Sequence, residues 1–347
     1  MNRRSSKMTL QDSGTVSAVM VREALAAPLQ QGWALEVLLN GTPFAAQIMH
    51  ADAGRVSVTH YARFWRRLRR TIQDEFFLMD QRSMRPGSFA FMCSIAAQQP
   101  TVGQGLEVAL QFLALIFSDK RAVLRTKHSM AAVVLREESS TPSRAFTYFT
   151  FWMYVHGLTC WLANQRINLL SVDLRCPEPG FIDDYRVMFS DNLRFDCRQS
   201  KILFSADVLA APIRRSAEDL QRFLRHAPNN IMVKYRDEQS LASQVRRQLL
   251  NSDPKHWPDA VDLAADLFMS VSTLQRRLNE EGQSYQRLKD SVRSSLAVKW
   301  LADEHYTFVD IASALGFADV SSFYKAFRKW TGTQPSHYRS ILLDKSK

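Results

Sequence analysis

The sequence predicts an α+β N-terminal domain followed by an all-α C-terminal domain that carries two helix-turn-helix motifs. Three observations lead there. Residues 307–335 read as a helix, a glycine turn and a second helix, and a pattern of the same form lies about fifty residues upstream. Before both, strand-like and helix-like stretches alternate, as in a mixed core.

Taken in chain order, Met-Asn-Arg-Arg-Ser-Ser-Lys at the start is basic but lacks the continuous apolar core and cleavage site of a secretion signal. It is read as part of a disordered tail over residues 1–24. Residues 61–75 suggest a helix with Phe64, Leu68 and Ile72 inward and Arg63, Arg66, Arg67, Arg69 and Arg70 on a basic face. Cations alternating with aromatics invite a nucleic-acid reading. A solvated or ion-paired helix face is the preferred account. Residues 105–117 suggest another helix, and residues 122–136, 169–175 and 201–206 read as strands. Residues 145–165 carry no formal charge and approach membrane-spanning length. Thr147, Tyr148, Thr150, Tyr154, His156, Thr159 and Asn164 would make a poor lipid-facing surface, so a buried helix bordering a pocket is expected instead. His156 is read as a satisfied core histidine.

In the C-terminal part, Asp259 with Asp262 starts a helix carrying Val261, Leu263, Ala264 and Leu267; Met269-Ser270 makes the turn, and Ser270 caps residues 271–278 with Leu274 and Leu278 inward. Residues 284–304 contain no Gly or Pro and place Tyr285, Leu288, Val292, Leu296 and Trp300 on one stripe. About twenty residues at ~1.5 Å each span about 30 Å, close to the ~34 Å of one DNA turn. In the second motif Thr307 and Asp310 form a capping-box signal, Ile311 and Leu315 repeat at i and i+4, and Gly316 ends the helix. Asp319 then caps a helix with Phe323 and Phe327 inward. Ser321, Ser322, Tyr324, Lys325 and Arg328 are left on other faces, the kind of groups that base edges and phosphates accept.

The run from Asp310 through Gly-Phe, Phe-Tyr-Lys-Ala-Phe-Arg-Lys, Thr-Gly and Pro335 to Tyr338-Arg339 resembles the AraC/XylS family of bacterial transcription regulators, over residues 239–342. That resemblance implies base contacts from Ser272, Gln275 and Arg276 on the first reading helix and from Val320, Ser321, Tyr324 and Lys325 on the second. Arg276 suits a guanine edge and Gln275 an adenine, each contributing ~1–3 kcal/mol of discrimination. Ser272 and Ser321 are short, which points to weak or water-mediated readout there. Arg277, Arg328 and Lys329 complete the cationic set. Upstream, Val172-Asp-Leu-Arg-Cys-Pro177, Tyr185, Phe189, Phe195, Leu203-Phe204, Leu209 and Pro212 resemble the arabinose-binding-like N-terminal domain of one subgroup, which includes regulators of ornithine use. It implies a domain that binds a small-molecule effector and pairs two chains. Pocket candidates are Phe89, Phe91, Met92, Phe149, Trp152, Tyr154, His156 and Trp161, each also explicable as core.

The expected layout is therefore a tail (1–24), an effector and dimerisation domain (25–228), a connector (229–238), a double helix-turn-helix DNA-binding domain (239–342) and a short tail (343–347). The net charge is +11, but from Asp259 onward twelve Lys and Arg face eleven Asp and Glu, so +10 lies upstream. Placement of the cations on the reading helices, rather than the total, carries the DNA reading. Binding should be salt-sensitive. Cys93, Cys160, Cys176 and Cys197 are far apart, without a C-x-x-C pair, so neither a zinc site nor a disulfide scaffold is expected, and a reducing cytoplasm fits. No G-x-S-x-G, H-E-x-x-H, Walker or complete dinucleotide motif occurs, so no catalytic residue, metal or cofactor is expected. The resemblance implies promoter DNA, RNA polymerase, an effector and a second copy of the chain as partners of a cytoplasmic, nucleoid-associated activator with no membrane association. A repressor, a ligand-independent DNA-binding protein and a DNA-repair methyltransferase fused to the same module are the alternatives. The last needs a cysteine-rich zinc site and an activated thiol, which four isolated cysteines do not supply.

Overall fold

Side-chain alternation along the strands and one uncharged helix decide the architecture of the N-terminal half. The computed structural model describes residues 15–50, 54–127, 129–190, 192–234, 241–280, 283–331 and 333–343. Strand β1 (Thr15–Ser17) leads into α1 (Val19–Gln30) and α2 (Leu35–Leu39), followed by β2 (Arg55–Ser57) and α3 (Val58–Thr71). β1 and β2 pair antiparallel, with Val16 opposite Val56. The tail expected over 1–24 thus gives way to structure at Thr15, because Val16, Met20, Val21 and Ala24 are fully buried in the core. Residues 1–14 lie outside the described residues.

Next come α4 (Ser88–Ala97), α5 (Val102–Ile116), β3 (Lys120–Lys127), β4 (Met130–Glu137) and α6 (Ala145–Ala163). They are followed by β5 (Ser171–Asp173), α7 (Ile182–Met188), β6 (Leu193–Arg194), β7 (Ser200–Ser205), α8 (Ala217–His226) and α9 (Asn229–Lys234). Residues 122–136 form two strands rather than one, and the 169–175 strand shortens to three residues. Every residue of α6 from Phe146 to Leu162 is buried. A helix apolar on all sides belongs in a core. Its hydroxyls are satisfied locally: Thr150 donates to the Phe146 carbonyl (2.9 Å) and Thr159 to that of Val155 (2.6 Å). Among the described residues no helix is long and apolar enough to cross a membrane. Three arginines of the basic run on α3 are engaged: Arg69 pairs with Glu75 (2.9 Å), Arg67 donates to the Asn40 carbonyl (3.1 Å) and Arg66 to that of Ala227 (3.5 Å).

The described part of the expected connector, residues 229–234, packs on this core. Ile231 and Met232 on α9 are each 1% exposed, and a Cβ at Gly157 of α6 would lie 2.6 Å from Ile231 Cγ2. Only a glycine lets α9 approach α6 so closely. The rest of the expected connector, 235–238, lies outside the described residues.

Five strands form one sheet in the order β3-β4-β7-β5-β6, antiparallel except for the β5-β6 pair. Successive side chains of a strand point to opposite faces. Val133, Leu135, Ile202 and Phe204 join the N-terminal core, whereas Met130 and Leu203 join the core of the C-terminal domain. The sheet is therefore covered on both faces. The three-residue apolar run Ile202-Leu203-Phe204 reflects that double burial.

The C-terminal domain holds α10 (Leu241–Leu250), α11 (Ala260–Asp266), α12 (Val271–Glu280), α13 (Tyr285–Leu301), α14 (Phe308–Ala314), α15 (Val320–Thr331) and α16 (Pro335–Leu343). Leu241, Val245, Leu249, Leu263, Leu274 and Leu278 make one small core, and Ile311, Leu315, Phe323, Phe327 and Tyr338 make another. Helix α13 belongs to both.

Candidate nucleic-acid interface

The second motif is built from local capping. Thr307 and Asp310 form a reciprocal capping box at the start of α14, and Gly316, at φ 78°, supplies the left-handed residue that ends it. Asp319 opens α15, accepting from the Ser322 backbone N–H (2.7 Å) and hydroxyl (2.8 Å). Those hydrogen bonds hold its carboxyl below the usual range. With Phe323 and Phe327 buried, Ser321, Lys325, Arg328 and Lys329 are exposed. Val320 and Tyr324 are half-buried; the Tyr324 ring packs edge-on against Phe308, at 5.7 Å.

The first motif repeats this plan. Asp259 accepts from the Val261 (2.7 Å) and Asp262 (2.9 Å) backbone N–H groups, which lowers its carboxyl pKa. Ser270 accepts from the Thr273 N–H (3.2 Å) at the start of α12. The left-handed residue of the turn, however, is Phe268, at φ 54° and 97% exposed, one residue before the expected Met269-Ser270 turn. It stands where the second motif has Gly316. On α12, Leu274 and Leu278 are buried, while Ser272, Gln275, Arg276 and Arg277 are exposed. At ~100° per residue, Ser272 and Arg276 lie on the face away from the core, with Gln275 and Arg277 on its two flanks. Every residue expected to contact DNA thus lies at or near the surface of the two second helices.

What relates the two helices is α13. Its 17 residues, about 25 Å at ~1.5 Å each, are shorter than the 284–304 strut expected. Tyr285, Leu288 and Val292 belong to the first core, Ala297, Val298 and Leu301 to the second, and Leu296 touches both. A second tie was not legible in the sequence. The Arg293 guanidinium of α13 lies 5.0 Å from the Trp257 ring of the first unit and 5.6 Å from the Phe317 ring of the second. Its Nε donates to the Leu315 carbonyl (3.2 Å) at the end of α14. A Cβ at Gly316 would meet the Pro254 carbonyl oxygen at 3.1 Å, so the second turn rests on the backbone of the first unit. Strut, stack and backbone contact together fix the mutual orientation of α12 and α15.

The five-stranded sheet is docked to the second unit, on the side of its core rather than of its exposed residues. Met130, Leu170 and Leu203 pack with Phe327 and Tyr338. Ser129 donates to the Thr331 carbonyl (3.1 Å) and Asn192 Nδ2 to that of Ser295 (3.0 Å). Beside them Asp173 is paired with both Arg194 (2.7 Å) and Lys201 (3.4 Å).

The residues proposed for an effector are distributed differently. Phe89, Met92, Phe149, Trp152, Tyr154, His156 and Trp161 are all buried, and Phe91 is 58% exposed on α4. Phe149 packs against Tyr185 and Phe189, Phe89 against Tyr154, and the Tyr154 hydroxyl donates to the Glu75 carbonyl. His156 Nε2 donates to the Ile167 carbonyl (2.9 Å), and burial pushes its pKa down to about 4. It is a neutral core histidine. Two cavities, of about 390 and 250 Å³, open elsewhere; Trp161 alone of the set borders one, the smaller, with Arg215 and Phe223. The reason is that the aromatic faces of α6 are filled by rings from its neighbours.

The four cysteines are free, and no group of His, Cys, Asp or Glu suited to a metal occurs among the described residues. Residues 32–213, just over half of the chain, match the N-terminal arabinose-binding domain of AraC transcription regulators, and residues 263–341 match a helix-turn-helix domain. The ornithine utilization regulator of Pseudomonas aeruginosa is 28% identical over 250 residues, 69% of this chain and 70% of that protein. An uncharacterized HTH-type transcriptional regulator of Mycobacterium tuberculosis is 35% identical over 108 residues, 31% of either chain. The solved structure of the transcriptional regulator CdpR from P. aeruginosa aligns with 93% of this chain and 97% of its own, at 18% identity and a TM-score of 0.31. With an arabinose-binding-type domain ahead of paired helix-turn-helix units, the chain belongs to the AraC family of DNA-binding transcription regulators.

Proposed function

We propose that the protein activates transcription by reading a bipartite promoter site with α12 and α15, and that its N-terminal domain binds a small-molecule effector and pairs two copies. The observation that carries this reading is the single helix shared by the cores of both helix-turn-helix units. Two reading helices at a fixed spacing suit successive major grooves on one face of a duplex. Ser272, Gln275, Arg276, Val320, Ser321, Tyr324 and Lys325 are assigned to bases, and Arg277, Arg328 and Lys329 to phosphates. Contact with RNA polymerase, a cytoplasmic location on the nucleoid and the absence of catalysis complete the proposal. The sensor comprises residues 15–234 and the reader residues 241–343.

Docking of the sensor sheet on the second unit offers a route for coupling. An effector that binds one docked arrangement better than another would shift the population of DNA-competent molecules. The test is binding of the full chain to the intergenic DNA beside its own gene, at several salt concentrations. Arg276→Ala should cost ~1–3 kcal/mol on the specific site and relax one base preference, whereas Lys329→Ala should weaken all sequences alike. Equal losses on specific and random DNA for both variants would defeat the assignment.

A further inference from the structure

The larger cavity, about 390 Å³, lies between the two domains. One wall comes from the sensor, through Ile167 and Leu170 after α6 and Asp207 and Val208 after β7; the other comes from Asp290 and Ser294 of α13 and from Trp330 of α15. Ser294 is 3% exposed, and its hydroxyl has no hydrogen-bond partner. A buried hydroxyl left unsatisfied costs ~1–3 kcal/mol, so its place in a cavity wall marks a position where a ligand atom improves on the empty state. Among the described residues neither Asp207 nor Asp290 is within ion-pair distance of a cation, although Lys289 and Arg293 of the same helix lie close enough to Asp290 to feel its charge; Asp207 accepts from the Ser205 hydroxyl (3.1 Å), and Asp290 from the Gln286 amide (2.9 Å). The cation at this cleft, Arg166, points its Nη2 to the Val187 carbonyl (3.1 Å). An apolar lining interrupted by Gln165, Asn168 and Ser291, two carboxylates, and one unused hydroxyl buried just behind the wall define the chemistry of the occupant.

We propose that this interdomain cleft binds a small primary amine with a compact apolar body, its ammonium on Asp207 and Asp290 and its body against Ile167, Val208 and Trp330. At ~30 Å³ per water-sized group the space holds about a dozen non-hydrogen atoms. Because the sensor supplies one carboxylate and the α13 strut the other, the bound amine ties the domains together and changes the strength of their docking. The assignment rests on the reading that the protein answers an effector, and it names the place and class of that effector.

The test uses the full chain and two matched probe pairs, n-hexylamine with 1-hexanol and 2-phenylethylamine with 2-phenylethanol, read by thermal melting and by titration. Both amines should raise Tm while the alcohols leave it unchanged. The near-isosteric double variant Asp207→Asn/Asp290→Asn, with unaltered Tm in the absence of amine, should bind the amines at least tenfold more weakly. Amines without effect, or amines that stabilise wild type and the double variant alike, overturn the proposal. If a neutral or anionic metabolite instead stabilises both proteins equally, the effector reading stands and this cleft is not its site.

Discussion

Replacing Arg293 with alanine should loosen the joint between the two helix-turn-helix units. The side chain leaves α13, passes between Trp257 and Phe317, and donates to the last carbonyl of the α14 turn. Each stacked contact at a half-buried site contributes ~0.5–1 kcal/mol. The charge-assisted hydrogen bond contributes about 1.5–3 kcal/mol. Allowing for incomplete burial, Arg293→Ala should cost roughly 2–3 kcal/mol, seen as a lower urea midpoint for the reader's transition. Arg293→Lys keeps a charge but not the planar fork, so it should recover less than half of that loss. On DNA the alanine variant should lose more affinity for the full site than for random sequence, because loss of spacing harms two-groove reading and leaves phosphate attraction intact. A variant with unchanged midpoint and unchanged specificity would refute the idea that this stack sets the geometry, as would full rescue by lysine.

Two further substitutions probe the fold. Phe268 holds a left-handed conformation while almost fully exposed, so Phe268→Gly should stabilise the protein by about 1 kcal/mol in urea unfolding, since an L side chain there costs ~1–2 kcal/mol and no packing is lost. A destabilised Phe268→Gly protein would mean that the ring packs on something. Burial lowers the His156 pKa from its model-peptide value of 6.5 to about 4, so the unfolded chain binds a proton that the folded chain refuses between those values. Stability is therefore full above pH 6.5 and falls as pH drops toward 4, by about 2 kcal/mol between pH 7 and 5. His156→Asn should flatten that slope in urea midpoints taken across the range, and an unaltered slope would reject the assignment.

Much of the C-terminal domain was legible because its determinants are local. Thr307, Asp310, Gly316 and Asp319 act within four residues of where they stand, and apolar spacing alone distinguishes Phe323 and Phe327 from Lys325. The long uncharged helix was legible as buried for the same reason. The tail and connector boundaries were not, because Val16 is tied down by Val56 and Ile231 by Gly157, partners well beyond any local sequence window. Arg293 carries no sequence signal either, since its role arises only when Trp257 and Phe317 are brought to either side of it. The aromatic set on α6 pointed to a pocket, but ring chemistry serves packing as well as binding, and neighbouring rings fill that space. Leu203 did hold a clue: an apolar residue between Ile202 and Phe204 implies a sheet covered on both sides, although not by what.

The most direct test of two reading helices held by one strut is a hydroxyl-radical footprint of the full chain on its own promoter, repeated with Arg276→Ala and Lys325→Ala. Two protected patches should appear on one face of the duplex about one helical turn apart, ~34 Å, with Arg276→Ala fading only one and Lys325→Ala only the other. A single patch, two patches on opposite faces, or one patch that responds to both variants would contradict the account.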